Sequence, residues 1–376
     1  MLAFALAVTL QDAVLAPDSE ARWIPFELTA GNQIRFEMQA DGRSATAVLD
    51  TGISQTLVST RFAQTLGLKD RGGGNATAIG GALAVRVADG PSLALGGLTR
   101  SGGRVLVSEL PALPGGAADI YVGADLVACC ALDIDYAAHR FRILPSGRMP
   151  FTGSTAPLSR TRGTGVFVTE IALGSKRLRP ILVDTGDGSS LTLTRQAWTS
   201  ARPAAARVTT TLGYGAGGPV VSETAILPGV DLGGRATGEA EVRIETATGF
   251  SHAAGTAGRI GTGLLMRYRV LLDPGAGRMV LRPDPHGELP PLRSTSGMLL
   301  NYANGALQIL HVMRGSPAEA AGWKTGERIC AADGRPVRED VEDDGKVEWT
   351  IGTPGRIVRL QDCDDRARPI TLAIFY

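Results

Sequence analysis

Along the first three quarters of the chain, apolar and polar positions alternate in short runs closed by glycine turns. IRFEMQADGR (34–43) alternates up to an Asp-Gly pair, and VFVTEIALGSK (166–176) alternates up to Gly-Ser. A period of two buries one face of a strand and wets the other, so each run predicts a half-buried hairpin. Each is followed by a strand-like apolar run, Ala47-Val48-Leu49 in one case and Ile181-Leu182-Val183 in the other. Many short apolar runs separated by abundant glycine predict a mainly β protein with tight turns.

Both apolar runs end in the same triplet, Asp50-Thr51-Gly52 and Asp184-Thr185-Gly186. One such triplet carries little information where 49 of 376 residues are glycine, since Asp can cap its own turn and Gly supplies a positive φ. The surroundings of the second copy change that. DIYVGADLVACCALDIDYAAHRFRIL and AGRIGTGLLMRYRVLLDPGAGRMVLR each place a glycine after an apolar pair, Gly123 and Gly261. Asp135 and Asp273 follow these glycines at the same interval, and Arg140 and Arg278 follow the aspartates at the same interval. This is a duplicated lobe.

At these residues the chain resembles the retropepsin-like aspartic proteases, in the bacterial form with two lobes in one polypeptide. The resemblance implies two small β-barrel-like lobes about a pseudo-twofold axis, each giving one aspartate to a shared site. The catalytic residues would be Asp50 and Asp184. Thr51 and Thr185 would hydrogen-bond across the junction, Gly52 and Gly186 would admit the backbone close to the pair, and Gly123 and Gly261 would sit where a strand crosses behind each catalytic loop. RGGGNATAIGGALAV (71–85) and TTLGYGAGGPVVSE (210–223) occupy the places of flaps, with Ile79, Gly80 and Gly81 at the first tip and Tyr214 and Gly215 at the second; exposed hairpin turns are the alternative. Two adjacent carboxylates cannot both ionise cheaply, so one keeps a proton while the other activates water, with no cofactor or metal required.

The pattern departs from the family after each triplet. Ile53 stands where a small residue is usual, with Ser54 next to bond the outer oxygen of Asp50. In the second copy Asp187-Gly188 intervenes, and the hydroxyl is displaced to Ser189. Asp187 is expected to point outward as a turn residue, because Asp-Gly is a strong turn pair. The departures keep open a second function, a catalytically impaired scaffold that binds peptides without cutting them. A serine protease is a poor fit, since no G-x-S-x-G occurs and GAGGP at 215–219 has Ala where the nucleophile would stand.

The proline-rich stretch within RPDPHGELPPLRSTSG (282–297) reads as a linker. Beyond it, ALQILHVMRGSPAEAAGWKTGERICAADGRPV (306–337) and the final PITLAIFY resemble a PDZ domain. That resemblance implies a peptide-binding groove at Gly297, Met298, Leu299 and Leu300, taking a C-terminal peptide as an added strand. The expected organisation is therefore an apolar leader at 1–20, lobe 1 at 21–152, lobe 2 at 153–285, a linker at 286–296 and a PDZ-like unit at 297–376.

Charge and composition then limit the partners. Lys and Arg total 38 against 37 Asp and Glu, which gives no reason to expect nucleic acid. Protein or peptide substrates are expected, and no segment of the mature chain reaches membrane-spanning length. MLAFALAVTL looks like the apolar part of a secretory signal with Val14-Leu15-Ala16 as a cleavage site, which points to export, periplasmic or extracellular, although the basic start of such a signal is missing. Cys129 and Cys130 read as buried thiols, and Cys330 and Cys363 could pair in an exported protein. The four histidines are far apart, so no metal site is expected.

Overall fold

The computed structural model describes residues 13–110, 117–285, 287, 290–337 and 348–376. Most of the expected leader, residues 1–12, lies outside them. The chain is mainly β, arranged in four sheets.

The alternating run becomes the strand Ile34–Ala40, which buries Ile34, Phe36, Met38 and Ala40 and leaves the intervening side chains wetter. It turns at Asp41 and Gly42, both at positive φ (48° and 72°), the two-residue geometry whose twist matches a hairpin. The return strand Arg43–Leu49 ends in Ala47, Val48 and Leu49, each 0% exposed. These residues lack alternation because the strand is covered on both faces. Lobe 2 repeats the plan with Phe167–Leu173 and Lys176–Asp184, turned at Gly174, with a register shift between Thr169 and Ile171.

In each lobe the strand entering the D-T-G turn lies between the first hairpin strand and a short parallel strand, Ile120–Val122 before Gly123 or Gly258–Gly261. Leu49 pairs with Val122, and Asp184 pairs with Gly261. The strand leaving the turn, Leu57–Ser59 or Leu191–Leu193, runs antiparallel to that same short strand. Both D-T-G turns are thus anchored at entry and exit by one central strand. Each exit strand feeds a short helix, Thr60–Leu66 or Arg195–Ala201, capped by Ser59 or Thr194 accepting a backbone N–H at 3.2 Å.

A six-stranded sheet joins the lobes. Its middle pair is Ala131–Asp135 from lobe 1 and Tyr268–Asp273 from lobe 2, with Leu132 opposite Leu272 and Ile134 opposite Val270. Asp133 is fully buried there and accepts from Arg269 at 2.7 and 2.9 Å and from Arg142 at 2.9 Å. One hydrophobic core runs through both lobes.

The C-terminal residues form their own sheet and core, the latter including Trp323, Trp349, Ile309 and Val358. A Cys330–Cys363 disulfide joins two of its segments. This unit rests on the foot of the lobe 2 hairpin Thr209–Gly215/Gly218–Leu227. Thr209 Oγ1 donates to Arg314 O (2.7 Å), Thr210 Oγ1 meets His311 Nε2 (2.8 Å), and Arg314 pairs with Glu223 (2.9 Å).

Two expectations need correction. Cys129 and Cys130 are not thiols but are bonded to each other, because the turn ending the helix Ala124–Val127 sets their side chains side by side. Residues 14–16, counted with the leader, belong to lobe 1: Val14 and Leu15 pair with Thr99 and Leu98, and Ala16 N–H donates to Gly97 O. Their apolar character serves a sheet edge.

Phe141 sits fully buried where the joining sheet meets lobe 1, edge-on to Phe36 at 5.0 Å between ring centres. Phe141→Ala is expected to cost about 3–5 kcal/mol of stability, read as a lower urea midpoint for the two-lobe unit.

Candidate active site

The two D-T-G turns face each other across the lobe junction. Each carboxylate lies directly over the glycine of the opposite turn: a Cβ on Gly52 would collide with the Asp184 carboxylate, and one on Gly186 with that of Asp50. Neither glycine has a positive φ, so what requires them is space for the opposing aspartate. Asp50 Oδ1 accepts from Gly52 N–H and Asp184 Oδ1 from Gly186 N–H, both at 3.0 Å. With each carboxylate over the opposite glycine, the two acids are close enough to change one another's proton affinity.

Behind them the threonines form a reciprocal net. Thr51 Oγ1 donates to Val183 O (2.7 Å) and accepts from Thr185 N–H (3.2 Å). Thr185 Oγ1 donates to Leu49 O (2.8 Å) and accepts from Thr51 N–H (3.1 Å). Both threonines are 0% exposed. Each hydroxyl therefore satisfies the backbone of the other lobe in the residue beside its aspartate, which sets the spacing of the pair. A lobe 1 turn adds a brace: Gln33 Nε2 donates to Gly186 O (2.9 Å) and Asn32 Nδ2 to Gly188 O (3.2 Å).

Burial pushes the Asp50 carboxyl up to about 6, against the pull of its hydrogen bonds. Burial and then the charges of Asp50 and Asp187 push Asp184 well above the ordinary carboxylate range. The pair therefore holds a proton far more readily than two solvated aspartates would.

Asp187 corrects the sequence expectation, because it points inward. It is buried, accepts from Ser189 N–H (2.9 Å) and forms an ion pair with Arg259, which also pairs with Glu245 and donates to Ser251 Oγ (3.0 Å). Burial pushes Asp187 up, but the Arg259 guanidinium and the Ser189 N–H outweigh it and hold the carboxyl below its usual range. The turn still forms. Its side chain is turned inside by the cation beneath it.

Residues 36–126 match the aspartyl protease family model. The matched stretch holds the Asp50 turn, the first long hairpin and Gly123; Asp184 lies beyond it. A search of the curated proteins finds none that matches the chain.

The remaining candidates divide. Gly123 abuts the Gln55–Thr56 peptide, where a Cβ would come within 2.8 Å, and Gly261 abuts the carbonyls of Asp187 and Ser189. Ser54 is exposed and makes no hydrogen bond to Asp50, because the turn carries it outward. Ser189 Oγ meets Thr192 Oγ1 (3.3 Å) and not the dyad, since its backbone is drawn to Asp187. The hairpin tips carrying Ile79, Gly80, Gly81 and Gly215 meet each other, with Gly217 N–H donating to Ile79 O (2.9 Å) and backbones too close for any Cβ at Gly80, Gly215 or Gly217. Tyr214 lies beside them, largely exposed. Gly297, Met298, Leu299 and Leu300 lie in the C-terminal unit, where the Gly297 and Met298 N–H groups donate to Ser294 Oγ (2.9 Å) and Ser296 Oγ (3.2 Å).

Arg259, Glu245 and Gln33 escaped the sequence reading. A signal for Arg259 existed: a cation inside the apolar run before Gly261, where the first copy has Tyr121, requires a buried anion.

Thr51→Val keeps the shape of the side chain but leaves Val183 O and Thr185 N–H without their partner. It is expected to cost about 2–4 kcal/mol, with Thr185→Val matching it by symmetry, in urea unfolding. The dyad binds its proton more tightly folded than unfolded. Its contribution to stability is therefore full below the ordinary aspartate value of 3.8 and is lost as pH rises through about 6. Between pH 4 and 7 the wild type should lose stability relative to Asp50→Asn/Asp184→Asn, read as the difference in urea midpoints.

Proposed function

We propose that the chain is an aspartic endopeptidase that hydrolyses peptide bonds through a water held between Asp50 and Asp184. One observation carries this reading: two carboxyl groups, each lying over the glycine of the opposite D-T-G turn and fixed by a two-way threonine net. In the singly protonated pair, the ionised carboxylate takes a proton from water as that water attacks the scissile carbonyl. The protonated partner donates to the carbonyl oxygen, and a proton then passes to the departing amine. The two groups share the proton, so acid and base are roles of the pair.

The touching hairpin tips suit this chemistry. As flaps they would close over the dyad and exclude bulk water once a peptide is held, and their glycine-rich, abutting backbones would part to admit it. Asp187 is the departure that most invited an inactive scaffold. Its charge is compensated by Arg259, which leaves the dyad as the place where a proton is gained and lost. That favours a cutting enzyme over a binding protein.

The C-terminal unit is read as a PDZ-like peptide-recognition module. In support, Met298–Ala303 is the end strand of its sheet, pairing with Ala306–Val312, and Gly297 enters it at φ 79°. An incoming carboxylate would take the Gly297 and Met298 N–H groups from the serines that now hold them. Export to an oxidising compartment accords with the Cys330–Cys363 bond.

Casein digestion from acid to neutral pH tests the enzyme. Asp50→Asn and Asp184→Asn are each expected to abolish cleavage while remaining folded. Full activity in either single variant would remove the shared-site reading.

A further inference from the structure

The backbone around the dyad is nearly twofold, but its side chains are not. In the parallel pairing behind each aspartate, Tyr121 stands opposite Val48 and Arg259 opposite Leu182, which is the same place in each lobe. Ile53 and Asp187 occupy the matching position after each aspartate. Lobe 1 therefore borders the dyad with an aromatic and an aliphatic residue, both half-buried, and lobe 2 borders it with an ion pair. Tyr121 is close enough to Asp50 for that carboxylate, after burial, to hold its phenol protonated.

On the lobe 2 side a cavity of about 380 Å³ opens beneath the hairpin tips, with Asp187, Arg243, Glu245, Phe250 and Arg259 in its wall. That volume falls in the range of ligand sites, about 300–1,000 Å³. Asp187 connects it to the chemistry, donating its N–H to Asp184 Oδ1 at 3.1 Å.

Hydrogen-bond accounting gives the wall a preference. Every carboxylate oxygen of Asp187 and Glu245 already accepts a bond, from Ser189 N–H, Ser251 N–H or Arg259. The donors are not used up. Among the described residues, Arg259 Nη2 has no acceptor, and Arg243 is engaged only through Nε, which donates to Glu241 at 3.2 Å. The two cations and two carboxylates of the wall cancel in charge, so what remains unfilled is donor capacity. A guanidinium held at Nε and open at its Nη atoms suits a planar acceptor.

We propose that this cavity is the subsite for the substrate residue on the lobe 2 side of the cleaved bond, that it selects a side chain ending in a carboxyl or carboxamide group, and that Arg243 determines the selection. The lobe 1 side, bordered by Ile53 and Tyr121, takes an apolar residue. The proposal rests on the endopeptidase reading.

The test is cleavage of a mixed peptide library by the full chain, with cut sites identified by mass spectrometry. Expected is enrichment of Glu, Gln, Asp or Asn at one position flanking the cut and of apolar residues at the other. In Arg243→Leu and Arg243→Gln the acceptor enrichment is expected to fall about tenfold or more while the apolar preference persists. Thermal melts confirm folding of these half-exposed replacements, and the wild-type profile decides the matter without them. Preference for Glu over matched Gln peptides identifies a carboxylate ligand, and the reverse a carboxamide. Cleavage with apolar residues on both sides would overturn the subsite while leaving the enzyme intact. Absence of any cleavage that depends on Asp50 and Asp184 would overturn both.

Discussion

Two carboxyl groups that would repel each other in water are held together where the two lobes meet, and most of the surrounding sequence serves that constraint. The Thr51–Thr185 net is what makes it sustainable, because each hydroxyl replaces water for two backbone groups of the opposite lobe. Orphaning such buried groups costs about 1–3 kcal/mol each, so separating the lobes here exposes several at once. The net also accounts for the glycines. With the threonines setting the distance, each carboxylate has nowhere to lie except over the opposite Gly52 or Gly186, where any side chain would occupy its space.

Duplication supplies the framework economically, but the lobes have diverged where charge is concerned. Behind Gly123, Asp125 accepts from Thr56 and pairs with buried Arg100. At the corresponding position lobe 2 has Gly263, packed against the Gly188–Ser190 backbone, and its buried cation is instead Arg259, paired with Asp187 and Glu245. Each lobe thus keeps a buried arginine near its D-T-G turn, and in lobe 2 the ion pair reaches the wall of the cavity. Asp187 adds negative charge beside Asp184, and Arg259 subtracts it. After burial, which acts on both acids, these lobe 2 charges adjust the proton affinity of the pair from one side.

What could be read from the sequence was what depends on short-range pattern. Strand alternation, the Asp41-Gly42 turn and the repeated apolar run into D-T-G are local, and they led to a duplicated mainly β protein. Asp187 was misjudged because the turn rule concerns residues next in sequence, while its partner Arg259 lies 72 positions away. Ser54 was misplaced for the converse reason. A hydroxyl at a familiar offset carries no information about where a turn bearing bulky Ile53 directs it. Val14-Leu15-Ala16 fits the small-residue pattern of a cleavage site, and the same residues suit the sheet edge on which Val14 and Leu15 stand. The meeting of the hairpin tips depends on how two lobes sit against each other, which no window of sequence contains.

The C-terminal unit bears on the same asymmetry. It grips the second hairpin at its foot through Thr209, Thr210 and Glu223, the last also paired with Arg195 of the adjoining helix. His311 and Arg314, which make those contacts, lie on or just after the strand that pairs with Met298–Ala303. A displacement of that end strand is therefore one ladder away from the foot of a hairpin whose tip borders the cavity that Asp187 lines. The tips bond to each other through Gly217 and Ile79, so restraining the second also restrains the first.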